Sequence, residues 1–138
     1  SDLDGKKLTA DEKSVLARKD ELIQALTLLD VKQQELQKQT ALNELKKKTI
    51  QLTSQLAEEE RAQRQQHDLD IATTGMGDKQ RQRYQTQFSL QQKYQQKLEQ
   101  LERDSRQKGT FGTDEYRNAE QTLTDSLNRQ LNENRRYW

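Results

Sequence analysis

Between Lys6 and Thr74 the chain contains neither proline nor glycine, and proline is absent from all 138 residues. No other feature constrains the fold as much. Inside a helix, glycine costs about 1 kcal/mol and proline about 3 kcal/mol relative to alanine. The residues that dominate instead are Gln, Leu, Lys, Glu, Arg and Ala, all good helix formers. The five glycines are Gly5, Gly75, Gly77, Gly109 and Gly112, and they divide the chain into three uninterrupted helix-forming stretches. An all-α fold follows: one long helix and two shorter ones, in an extended, coiled-coil-like architecture.

The boundaries follow from the same reading. Residues 1–9 flank the first helix, 10–72 form a long helix with an irregular heptad seam, 73–77 are a glycine linker, and 78–138 form a helical hairpin. Thr9 opens the first helix, with Glu12 three residues on completing a capping box. Gly75, Gly77, Gly109 and Gly112 are expected as hinges between helices, with Asp78 and Thr113 capping the helices that follow.

Composition decides what these helices can bury. Only 29% of residues are hydrophobic, against about 45–50% apolar in an ordinary globular domain. A thick core is out of reach, but a narrow seam between helices is not. Disorder would pair this polarity with high net charge and abundant proline, whereas the net charge is +1. Val15, Leu22, Leu29, Leu36, Asn43, Ile50 and Ala57 recur at strict sevens. Leu22, Leu26 and Leu29 form one seam, and Leu42, Leu45, Leu52 and Leu56 a second, out of phase with the first. In the second helix Tyr84, Phe88, Leu90, Tyr94, Leu98 and Leu101 share a broad face. In the third, Tyr116, Ala119, Leu123, Leu127 and Leu131 do so. Such thin seams predict self-association, so a homo-oligomer is expected, while their irregularity leaves pairing, trimerisation and folding back all open. Acids stand four residues before bases at Glu44–Lys48, Glu60–Arg64, Glu99–Arg103, Glu102–Arg106 and Asp125–Arg129, the favourable helical order.

No constellation carries catalytic or cofactor chemistry. "GMGDKQ" follows a helix, and it matches neither a dinucleotide-binding fingerprint nor a Walker loop. "DLDG" with Asp11 echoes only part of a calcium loop. His67 is the sole histidine and cysteine is absent, so a metal site within one chain lacks ligands, and His67 is expected on an exposed helix face. Neighbouring carboxylates such as Glu58 and Glu60 have no burial to separate their acidities. No segment is long and apolar enough for a membrane span. "DKQRQRYQ" and "LKKKT" are locally basic, but the aromatics are expected to pack on the apolar face and charge balances overall. No specific nucleic-acid site is expected. The chain opens without Met and stops on "RRYW" in mid-pattern, as a piece of a longer protein would.

The running sequence "ALNELKKKTIQLTSQLAEEERAQRQQHDLDIATTGMGDKQRQRYQTQFSLQQKYQQKLEQLERDSRQKGTFGTDEYRNAEQTL" closely resembles the tail length tape measure proteins of lambda-like siphophages. The resemblance extends from Ala41 to Trp138 and points to the C-terminal half of that longer polypeptide. It implies a non-enzymatic structural protein of the virion tail, held in the host cytoplasm during assembly. Members of the family are long helical polypeptides, a few copies to a tail. They are kept soluble by tail-assembly chaperones, are enclosed by tail tube protein, and leave the tube ahead of DNA ejection. A helix has a constant rise per residue, so residue number becomes distance. Any envelope-crossing role would lie outside this stretch. The other reading is a charged helical binding module that contacts chaperones, tube subunits or DNA.

Overall fold

A computed structural model describes residues 9–73 and 78–137, and side chains within them except at 70–73 and 137. The described chain is all-α. Helix α1 spans Ala10–Thr73, α2 Lys79–Lys108 and α3 Asp114–Tyr137. The hinge candidates Gly75 and Gly77 lie outside the described residues. The chain divides into two compact units, Ser1–Gln39 and Thr40–Trp138.

Within Ser1–Gln39 the described residues form the first part of α1, opened by Thr9. Its hydroxyl accepts the Glu12 N–H at 3.1 Å, and its carbonyl accepts the Lys13 N–H at 3.0 Å. Val15, Leu16, Leu22, Ile23, Leu26, Leu29 and Leu36 are all exposed. The predicted first seam is therefore a surface feature of the single chain.

Within Thr40–Trp138 the remainder of α1 packs with α2 and α3. Tyr94 bonds Thr124 at 3.1 Å and Asn134 donates to the Arg83 carbonyl at 3.0 Å, so α2 and α3 run antiparallel. Lys97 reaches Glu59 and Lys108 reaches Glu44, which makes α1 and α2 antiparallel as well. Lys46–Glu115 and Glu60–Arg129 then align α1 parallel to α3. The sequence reading expected an extended architecture; in this unit the chain folds back twice into an up-down-up bundle.

Leu45, Leu56, Tyr116, Ala119 and Leu123 are its buried hydrophobic residues. Leu42, Leu52, Leu98, Leu101, Leu127 and Leu131 are half-buried around them. Ile50, expected in the seam, is 68% exposed. The reason is geometric. The covered stripe on α1 is Leu45, Thr49, Leu52, Leu56, Glu60, Gln63 and His67, which repeats every eleven residues. Eleven residues per three turns is about 3.67 per turn, close to the straight helix, whereas strict sevens drift by about 20° per heptad. Ile50 lies five residues past Leu45, about 140° around the helix. Tyr84 and Phe88, also expected to pack, are 63% and 62% exposed.

The turn between α2 and α3 is built from its residue types. Gly109 (φ 73°) and Gly112 (φ 80°) are both left-handed, and the Gly109, Thr110 and Phe111 N–H groups converge on the Ser105 carbonyl. Thr113 caps α3 as expected, its hydroxyl accepting the Tyr116 N–H at 3.2 Å while donating to the Thr110 carbonyl at 2.6 Å. Asp78 stands at the N-cap of α2 but makes no side-chain cap bond, because its backbone is already α-helical (φ −97°, ψ −9°). A β-carbon on Gly109 would meet nothing within 4 Å. Gly109→Ala should therefore cost only the left-handed backbone penalty, about 1–2 kcal/mol. Thermal unfolding should show that loss, and Gly109→Asn a smaller one, since Asn tolerates this conformation.

Candidate functional site

The bundle changes character along its length. At the end carrying the α2–α3 turn, Leu45, Tyr116 and Ala119 form the core, with Leu101 against it. The Phe111 ring tilts on Tyr116 at 4.9 Å, and the Arg106 guanidinium lies 3.9 Å over Phe111. Burial, with Glu120 beside it, pushes the Tyr116 phenol up to about 12.

Towards the other end the covered positions turn polar. His67, Ser126, Gln130 and Asn134 are buried there. Arg129 grips Glu60 through Nε and Nη2, and Ser126 Oγ donates to the same carboxylate at 3.3 Å. Gln130 Nε2 donates to Ser126 Oγ at 3.2 Å, and Gln63 Nε2 to the Gln130 carbonyl at 2.9 Å. The hydrogen bond to Glu60 raises the Arg129 pKa above its ordinary value. Glu60 is thereby taken up across the bundle and not by Arg64, its expected helical neighbour. Among the described residues, Asn134 Oδ1 and Glu133 Oε1 are buried without a hydrogen-bond partner.

Two open grooves flank these layers. One, of about 310 Å³, lies over Leu45, Leu52, Leu101 and Leu123. The other, of about 490 Å³, is lined by Gln63, His67, Gln85, Ser89, Lys93 and Gln130. His67 is thus a buried residue, 2% exposed, and not the surface histidine expected; it lines this groove with Gln85 and Ser89 of α2 and Gln130 of α3. The second groove offers amides, hydroxyls, the Glu59 carboxylate, the His67 imidazole and the Lys93 ammonium. Such a lining can hydrogen-bond a polar ligand. Among the described residues no three metal-ligating side chains come together, and no helix is long and apolar enough to cross a membrane.

The buried polar residues are the part of the site the sequence reading missed. The available signal was the α3 stripe itself. It continues from Tyr116, Ala119 and Leu123 to Ser126, Gln130 and Asn134 at the same spacings of three and four. No protein-family model, curated protein or solved structure matches the chain.

Proposed function

We propose that this chain is a segment of a helical ruler in a phage tail. It sets tail length during assembly inside the tail tube and leaves ahead of the DNA on infection. The protein works by length and contact, not by catalysis. Its partners are further copies of itself, tail tube protein and the chaperones that hold it in the host cytoplasm before it enters the virion. The observation that carries the reading is the 64-residue helix Ala10–Thr73, unbroken and glycine-free, in which each residue adds about 1.5 Å. The resemblance in running sequence supports it independently.

Copies associate through the exposed face of the Ser1–Gln39 unit. With Val15, Leu22, Leu29 and Leu36 at one seam position, Leu26 fills the alternate one, and Leu16 and Ile23 widen the stripe. Each such side chain contributes about 1.5–3 kcal/mol when fully buried. Two facing stripes therefore supply enough apolar area for a stable pair, with no excess of one charge to oppose it. Leu28 and Val31, off this stripe, are 56% and 44% exposed.

The ruler is tested by in-frame deletion in a siphophage whose tail protein carries this segment. Removing Leu22–Leu28 keeps the seam in phase and should shorten the tail by about 10 Å, the rise of seven helical residues. Removing fourteen or twenty-one residues from the same unit should scale in proportion. Tails of unchanged length in electron micrographs would mean the segment is not counted. Deletions in Thr40–Trp138 are a poorer measure, because α2 and α3 fold back beside α1 and Leu45 and Leu56 hold them there.

A further inference from the structure

We propose that a groove between α1 and α3 binds a dicarboxylic amino acid, its carboxylates held by Arg64 and Arg136 and its ammonium by Glu133. The ruler reading plays no part in this; it rests on charges that face one space without pairing. The groove, of about 290 Å³, is lined by the Glu60–Arg64 turn of α1 and by the Arg129–Arg136 stretch of α3. Glu60 and Arg129 are joined there as an ion pair. Arg64, Glu133 and Arg136 line the same groove, and among the described residues none of these three has an ion-pair partner.

The register of the two helices sets Arg64 against Glu133. Lys46 pairs with Glu115 and Glu60 with Arg129, in both cases sixty-nine residues on. Arg64 and Glu133 stand at the same separation, about one helical turn beyond the Glu60–Arg129 pair. Acid and base are exchanged between the helices, yet no bridge forms and the groove takes its place. Glu133 Oε1 is buried without a hydrogen-bond partner, and a buried charge left unpaired is costly. Arg136, three residues after Glu133, lies on the same face of α3. Its side chain is exposed, as is that of Arg64.

These charges choose the ligand. Two guanidiniums and one carboxylate call for two carboxylates and one ammonium, which a dicarboxylic amino acid supplies group for group. A guanidinium takes a carboxylate through two parallel hydrogen bonds, so each arginine can hold one end of the ligand. An inorganic anion fits less well, because Glu133 repels it. A simple cation fits less well too, because it leaves both arginines unpaired. The volume stands at the small end of the range for ligand sites, about 300–1,000 Å³, as suits a ligand of this size.

The test is isothermal titration calorimetry of the whole protein with L-glutamate at low ionic strength, where saturable binding is expected. Glutarate, which lacks the ammonium, and L-glutamine, which lacks the second carboxylate, should each bind about tenfold more weakly, the loss of one charge-assisted hydrogen bond. E133Q should lose the same factor for L-glutamate while binding glutarate no less tightly, whereas R64Q and R136Q should weaken both. All three variants should keep the circular dichroism of the unaltered protein, since none of these side chains belongs to the apolar core. A peptide that begins with glutamate has its α-carboxylate locked in an amide and should bind no better than L-glutamine; tighter binding would overturn the free amino acid as occupant. The proposal is also overturned if L-glutamate does not bind at about 10 mM, if glutarate binds as tightly as L-glutamate, or if E133Q weakens the two alike.

Discussion

Leu123→Ala should destabilise the Thr40–Trp138 unit by about 2–5 kcal/mol, the cost of truncating a buried leucine that its surroundings cannot fully replace. Leu123 is 3% exposed. It borders the apolar groove with Leu45, Leu52 and Leu101 on one side, and reaches Leu56, Leu90 and Tyr94 on the other. All three helices of the bundle meet around it. With so few buried hydrophobic residues in the unit, losing one of the largest removes a sizeable fraction of the core. At about 4–8 °C per kcal/mol for a unit of this size, the melting temperature should fall by at least about 8 °C. Ile50→Ala provides the contrast: Ile50 belongs to the strict heptad, yet it is exposed, and its loss should stay within about 0.5 kcal/mol. Equal effects from the two substitutions, measured by chemical denaturation, would mean the bundle does not pack around Leu123.

In the other unit, replacing Leu22, Leu26 and Leu29 together by serine should abolish self-association. A lone helix of thirty residues, wet on every side, is marginal, because its stability comes from covering an apolar face more than from propensity. The unaltered protein should therefore gain mass and helicity as its concentration rises. The triple variant should stay monomeric and lose about a quarter of the helical signal, the share of the three helices that Ala10–Gln39 supplies. The bundle should melt as before, since none of the three side chains belongs to it. Sedimentation across a concentration series decides the matter. A chain that remains monomeric before any substitution, at concentrations well above micromolar, would remove the second copy as the occupant of this face.

The polar half of the bundle explains why these two units should behave so differently. Glu60, Gln63, Ser126, Arg129 and Gln130 satisfy one another across α1 and α3, but such groups exchange water for protein partners with little net gain, about 0.5–1.5 kcal/mol for each bond. Their geometry is directional, however, so they specify how α3 aligns with α1. The apolar half supplies most of the cohesion and the polar half sets the register. Ion pairs such as Lys46–Glu115 and Lys48–Asp104, both at 3.9 Å, lie at the surface and add little to stability.

What the sequence by itself determined was local. Helix type follows from propensity and the absence of breakers, and helix ends follow from side chains a few residues apart. Thr9 capping Glu12 and Thr113 capping Tyr116 were readable for that reason, as was the α2–α3 turn from Gly109 and Gly112. Spacing placed Leu45, Leu56 and Leu123 on apolar stripes, but it placed Ile50, Tyr84 and Phe88 there too, and these are exposed. The tertiary structure decided which stripe is covered, and by what. A thin seam can be satisfied by another chain or by the same chain folding back, and spacing does not distinguish them. Folding back selected the eleven-residue stripe over the seven-residue one, which left Ile50 in solvent and covered His67. It also turned Glu44 and Glu60 from their helical neighbours Lys48 and Arg64 to Lys108 and Arg129. Local interactions span three or four residues and are written in the order of the chain; these contacts span more than sixty, and they exist only once the helices lie side by side.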